Sequence, residues 1–93
     1  QQNIHYWKND EGVEADFILR EGLRVKDAIQ ASYSIADEKT KARELRGLVA
    51  CAQEFGLKSG SIITWSADHT ETVHGVKVRF WPLWKWLLAR GDR

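Results

Sequence analysis

The chain contains no methionine, one cysteine and one proline in 93 residues. The single Cys51 excludes an intramolecular disulfide, and a structural zinc site is not expected with only three histidines. There is no run of about 18 apolar residues and no basic-then-apolar leader, so the sequence predicts no membrane contact and a cytoplasmic location. Because the chain begins with Gln1, Gln2 and Asn3 and lacks methionine, we expect a fragment of a longer protein.

An excess of charge of either sign is also missing. The 14 basic and 13 acidic residues leave a net charge of +1, so any DNA contact must come from a local patch. No glycine-rich phosphate loop is visible, and the sequence therefore predicts no ATP site. With 43% hydrophobic residues, residues 1–93 can form one small domain with a thin core.

The most informative stretch runs from Gly12 to Ser34. Apolar and polar residues alternate on both sides of a turn at Glu21 and Gly22, which predicts two paired strands. If they form a hairpin, four polar side chains can share one face: Glu14, Asp16, Gln30 and Ser32. Carboxylate and amide oxygens on rigid strands suit Mg²⁺, so the sequence makes Asp16 and Gln30 candidate metal ligands. The charges at positions 26 and 27 interrupt the alternation, and a bulge there would change which side chains share a face.

The rest of the chain predicts an α/β fold with a mixed sheet. A helix begins at Asp37, with Ser34 or Asp37 as its N-cap, and ends near Gly56. The buried strand that follows it implies a crossover to a parallel neighbour. A hairpin turning at positions 74 and 75 comes next, and Pro82 is expected to start a short C-terminal helix.

Two surfaces allow two interpretations each. The helix that begins at Asp37 carries Lys41, Arg43 and Arg46, which form either a solvated face or a basic ridge for nucleic acid or a partner. The C-terminal segment is rich in tryptophan, with three at positions Trp81, Trp84 and Trp86. This segment either packs entirely on the sheet or docks in part on a protein partner.

Several motifs carry a resemblance to known proteins. An Asp on one strand, followed after a turn by Glu or Gln, any residue and Lys, resembles the PD-(D/E)XK nuclease superfamily. Further runs extend the likeness along nearly the whole chain, namely Tyr6-Trp7, Glu14–Phe17, Ile29–Tyr33, Arg43–Leu45, Ile62–Trp65 and Pro82–Leu88. Together they are similar to the C-terminal nuclease-like domain, a domain of unknown function, of archaeal and bacterial AAA-type P-loop ATPases. The resemblance implies a restriction-endonuclease-like core without its first helix, appended to an ATPase domain that lies outside this chain.

The resemblance also assigns roles to residues. It implies that Asp16 and Gln30 bind Mg²⁺, whereas Ser32 stands where the superfamily has its lysine, and Glu14 has no equivalent in the motif. Loss of the lysine weakens water activation and charge stabilisation. We therefore expect a catalytically degenerate accessory domain that serves protein or nucleic-acid interaction. One alternative is a Mg²⁺-dependent DNA endonuclease in which Lys41 or Arg43 replaces the lysine. The other is that Glu14, Asp16, Gln30 and Ser32 simply form a polar, solvated face of the sheet.

Overall fold

A computed structural model describes residues 2–8, 14–21, 24–32, 35 and 37–91. It contains one six-stranded sheet and two helices. The elements in chain order are β1 (Gln2–Lys8), β2 (Glu14–Glu21), β3 (Arg24–Ala31), α1 (Glu38–Glu54), β4 (Ser59–Thr64), β5 (His69–Val73), β6 (Val76–Pro82) and α2 (Leu83–Gly91).

The sheet is mixed, with the strand order β1-β2-β3-β4-β6-β5. The first strands form an antiparallel meander, and α1 then carries the chain to β4, which pairs in parallel with both β3 and β6. Strand β5 pairs antiparallel with β6 and ends the sheet. The predicted α/β class, the meander, the crossover helix and the C-terminal helix are therefore confirmed.

Side-chain alternation divides the core between the two faces of the sheet. On one face, α1 buries its Leu48, Val49 and Ala52 against apolar side chains of the strands, among them Ile18, Ala28, Ile62, Val78 and Phe80. On the other face, Ile29 and Ile63 form a smaller cluster against α2. The larger core thus lies under α1, as its apolar stripe predicts.

Helix α1 has well-defined ends. The Asp37 side chain accepts hydrogen bonds from the Thr40 hydroxyl at 2.9 Å and from the Thr40 backbone N–H at 3.2 Å. These two bonds, the hydroxyl's first, hold the pKa of Asp37 below its ordinary value. At the other end Gly56 has φ +68°, and the N–H of Leu57 donates to the Ala52 carbonyl at 2.7 Å. These are the bonds of a Schellman motif, which needs a left-handed residue at this position. Of the two predicted N-caps, Asp37 is the one observed.

The irregularity anticipated in β3 is a bulge. Leu19 pairs with Asp27 and Arg20 with Val25, so Lys26 is the additional residue. The bulge shifts the alternation: Val25 and Ala28 both lie in the core under α1, whereas Lys26 is exposed. Lys26 therefore does not share the buried face of Gln30.

The β5–β6 hairpin turns through His74 (φ 50°) and Gly75 (φ 80°). Positive φ at both turn residues is the signature of a type I′ turn, which matches the twist of the strands. The prediction that Pro82 starts the C-terminal helix is wrong, because Pro82 pairs with Thr64 and ends β6. A proline is tolerated at that strand end because it lacks only one ladder donor. Neither described helix is long and apolar enough to span a bilayer.

Candidate functional site

Gln30 is the predicted metal ligand whose surroundings are best defined. It lies near the end of β3, is only 7% exposed, and faces α1. Its side-chain Nε2 donates a hydrogen bond to the Glu44 carboxylate of α1. Glu44 is itself 15% exposed, so the amide and the carboxylate meet in a largely dehydrated place between sheet and helix. This contact ties β3 to the helix that follows it.

Ser32 follows directly after β3 and is also buried, at 8% exposure. Its backbone N–H donates to the Ile63 carbonyl at 2.8 Å, which extends the pairing between β3 and β4. A serine at this place provides a short neutral hydroxyl where the nuclease motif has a long cation. Ser32 therefore places no positive charge at the end of β3.

Asp16 and Glu14 belong to β2, but their side chains lie outside the described part of the structure. The backbone pairing nevertheless shows an irregularity at Asp16. Trp7 pairs with Ala15 and His5 with Ile18, so β2 contains one residue more than β1 between these pairs. Because a bulge disturbs the alternation of side chains, period two does not fix the face of Asp16. Its role as a metal ligand, and that of Glu14 beside it, stay predictions.

Gln30 and Glu44 bring one amide and one carboxylate together at the predicted site. No group of three or more His, Cys, Asp or Glu side chains converges among the described residues. Arg43 lies beside Glu44, with Nη2 4.0 Å from Oε1. An amide and one carboxylate suit a hard cation chemically, and a further carboxylate would have to come from β2.

The predicted basic ridge on α1 is divided by the fold. Lys41 turns to the sheet, where Nζ lies 2.6 Å from Glu71 Oε2 on β5 and 5.7 Å from the centre of the Phe80 ring. Bonding to Lys41, and then to His69, lowers the pKa of Glu71. Arg43 and Arg46 remain exposed.

The place of Lys41 bears on the endonuclease alternative. Strand β5, which Lys41 contacts, is four strand positions from β2, a distance of about 19 Å. To replace the missing lysine, Lys41 would have to lie beside Asp16 on β2. Its contact with Glu71 holds Lys41 at β5 instead. Arg43, next to Glu44, is the cation nearer to Gln30.

The geometry of the predicted site is thus a buried amide–carboxylate pair at the junction of β3 and α1. No protein-family model, curated protein or solved structure matches the chain.

The C-terminal helix presents two apolar faces. Leu83 and Trp86 pack on the cluster formed by Ile29 and Ile63. The other face, which we call the α2 stripe, is exposed to solvent: Trp84 is 61%, Leu87 54% and Leu88 63% exposed. The spacing of three and four residues places these side chains side by side on one helix surface. Trp65, at the end of β4, is 64% exposed.

The tryptophans predicted for partner contact have different surroundings. Trp81 is half-buried, donates its Nε1–H to Ser61 Oγ at 3.2 Å, and lies under the Arg79 guanidinium at 4.6 Å. Arg79 and Lys85 both pair with Asp68, and their hydrogen bonds lower its pKa. Trp81 therefore makes its polar contacts within the sheet, whereas Trp84 is largely exposed to solvent.

Sequence reasoning missed the role of Glu44 at the site. A signal was present, since Glu44 lies one turn before Leu48 on the core-facing side of α1. A carboxylate at that spacing is removed from water when the helix packs on a sheet, so it needs a hydrogen-bond partner there. The buried Gln30 is that partner.

Proposed function

We propose that the chain is a nuclease-like accessory domain of an AAA-type ATPase, and that its task is protein interaction rather than cleavage of nucleic acid. The topology supports the nuclease-like part. An antiparallel meander followed by a crossover helix and a parallel fourth strand is the arrangement expected of the restriction-endonuclease-like core. Two further strands extend that core beyond β4.

The observation that carries the proposal is the α2 stripe. Helix α2 packs Leu83 and Trp86 on the sheet, whereas more than half of the surface of each of Trp84, Leu87 and Leu88 stays exposed. Exposed large side chains that cluster on one helix surface are typical of protein interfaces. A tryptophan in the middle of such a patch commonly supplies much of the binding free energy. The ATPase module is the proposed occupant of this surface.

The chemistry of the predicted site supports a role without catalysis. Gln30 is a neutral ligand and already donates a hydrogen bond to Glu44, while Ser32 gives no cation. A phosphodiesterase must stabilise charge that develops on the phosphate, for which a metal held by anionic ligands and a nearby lysine are the usual means. At these positions β3 and the residue after it provide neither a carboxylate to bind the metal nor a basic side chain to stabilise the phosphate.

Binding of the 93-residue chain to a purified AAA-type ATPase module of the same organism tests the proposal. We expect Trp84→Ala to weaken binding by about 2 kcal/mol or more in calorimetric titrations, the cost typical of an interface tryptophan. The control Glu54→Ala, at an exposed position of α1 outside the basic ridge, should bind like the wild type. Equal affinity of the wild type and Trp84→Ala would remove the α2 stripe from the interface.

One observation favours a second function, a Mg²⁺-dependent DNA endonuclease that uses Asp16 and Gln30. Glu44 provides the anionic oxygen that Gln30 lacks, directly beside it. Cleavage of linear and branched DNA with Mn²⁺ or Mg²⁺ distinguishes the two functions. Activity in the wild type that is lost in both Asp16→Ala and Glu44→Gln would establish the endonuclease, whereas a wild type without activity supports the accessory role.

A further inference from the structure

Helix α2 is attached to the sheet along a narrow part of its surface. It follows β6 without a loop, since β6 ends at Pro82 and α2 begins at Leu83. Leu83 and Trp86, which pack on the sheet, lie three residues apart and therefore within a single turn. Side chains within one turn fix the point at which a helix touches the sheet, but they resist rotation about the helix axis poorly. The direction in which the α2 stripe faces therefore depends on a further restraint.

Lys85 provides such a restraint on the flank of α2. Because successive residues are rotated by about 100° around a helix, Lys85 lies on one side of the packed face and the α2 stripe lies on the other. Nζ of Lys85 is 3.1 Å from Oδ2 of Asp68, in the loop between β4 and β5. This contact opposes a rotation of α2 that would turn Trp84 towards the sheet or away from it.

Asp68 is itself held in place by the sheet. Its Oδ1 accepts a hydrogen bond from Nη2 of Arg79, a residue of β6. The Arg79 guanidinium lies over the Trp81 ring at 4.6 Å from its centre. The start of the loop is ordered by Thr64, whose Oγ1 accepts a hydrogen bond from the Ala67 N–H at 2.9 Å. Asp68 therefore joins β6 to α2, with one carboxylate oxygen for each.

We propose that Asp68 is a positioning residue for the α2 stripe: by holding Arg79 of β6 and Lys85 of α2 with its two carboxylate oxygens, it fixes the rotation of α2 and so the direction in which Trp84 faces. This inference rests on the proposed function, in which the stripe binds the ATPase module. A surface that is ordered before binding loses less conformational entropy when it binds. Asp68 thus raises the affinity through Lys85, from the flank of α2 opposite the stripe.

The exposure of the ion pair sets the size of the effect. The side chains of Asp68 and Lys85 are 38% and 44% exposed, so water screens their attraction and the pair adds little to the stability of the whole fold. Rotation of a nine-residue helix is a smaller change than unfolding, and a modest restraint is enough to bias it. We expect loss of the pair to weaken binding to the ATPase module about three- to fivefold.

Residual dipolar couplings of the backbone N–H groups of α2, compared by NMR with those of the sheet, report the orientation of the helix without a partner. Asp68→Asn and Lys85→Gln should each reduce the couplings of α2 relative to those of the sheet, because the helix then samples several orientations. The matched control Glu71→Gln removes a carboxylate that pairs with Lys41 of α1, and it should leave the couplings of α2 unchanged. Couplings of α2 in Asp68→Asn that equal those of the wild type would overturn the inference.

Calorimetric titration with the ATPase module tests the consequence for binding. Asp68→Asn should weaken binding about three- to fivefold, and Lys85→Gln should add little to that loss in the same chain, since both changes remove one pair. Wild-type affinity of Asp68→Asn, or fully additive effects of the two changes, would overturn the inference. A wild type that does not bind the module refutes the proposed function instead, and the dipolar couplings then decide whether Asp68 positions α2.

Discussion

The contact between Gln30 and Glu44 provides the sharpest stability prediction. Replacing Glu44 with alanine removes the acceptor of a buried amide donor, since Gln30 is 7% and Glu44 15% exposed. Hydrogen bonds to charged groups contribute about 1.5–3 kcal/mol, and a buried donor left without its acceptor costs a similar amount. We expect Glu44→Ala to lower the free energy of unfolding by about 2 kcal/mol.

That loss is large for a domain of this size. For 93 residues at about 0.05–0.15 kcal/mol each, the total free energy of unfolding is about 5–14 kcal/mol. Near the midpoint, 1 kcal/mol shifts the melting temperature of such a domain by about 4–8 °C. Glu44→Ala should therefore melt roughly 8–16 °C below the wild type.

Urea unfolding followed by circular dichroism measures the effect, and a double-mutant cycle assigns it to the pair. The control Glu54→Ala removes an exposed glutamate from the same helix and should change the stability by less than about 0.5 kcal/mol. Gln30→Met combined with Glu44→Met should cost less than the sum of the single changes, because both polar groups leave together. Additive single effects, or Glu44→Ala equal to Glu54→Ala, would refute the contact.

Three further predictions concern other parts of the fold. Lys41, and then His69, lower the pKa of Glu71. The ionised Glu71 therefore stabilises the fold above its ordinary pKa of 4.5, and this stabilisation is lost as the pH falls through the lower pKa of the folded state. Glu71→Gln should make the free energy of unfolding fall less steeply with decreasing pH in the acid range. Burial raises the pKa of the Cys51 thiol to about 12. Thiol reagents at neutral pH should therefore label Cys51 only as fast as the folded protein opens. A labelling rate of the folded protein equal to that of the urea-unfolded protein would contradict the burial of Cys51. Gly75→Ala places a side chain at φ 80° and should cost about 1–2 kcal/mol in urea unfolding, whereas an unchanged midpoint would argue against the type I′ turn.

Local sequence signals predicted the ends of several elements correctly. Asp37 caps α1 and Gly56 closes it, because each position requires a chemistry that few residues provide. His74 and Gly75 form the predicted two-residue turn for the same reason. Pro82 was assigned to the wrong element because a proline suits the first turn of a helix as well as the end of a strand.

Contacts between distant segments could not be predicted in the same way. The sequence places Lys41 on the outside of α1, but the width of the sheet brings Glu71 of β5 under it. Gln30 was assigned to a polar face, although that face is covered by α1 and its neighbours in the sheet are core residues. Alternation shows that two faces differ, but it does not show which of them a helix covers.

NMR tests most directly whether the proposed site around Asp16 and Gln30 binds a metal ion. The ¹⁵N-labelled chain is titrated with Mg²⁺, with the backbone N–H of Asp16 and the side-chain amide of Gln30 as reporters. Because we propose a degenerate site, we expect no saturable shift of these signals at millimolar Mg²⁺ and no difference from Asp16→Ala. Saturable shifts centred on Asp16 and Gln30 that disappear in Asp16→Ala would contradict a degenerate site and establish a metal site of the nuclease type.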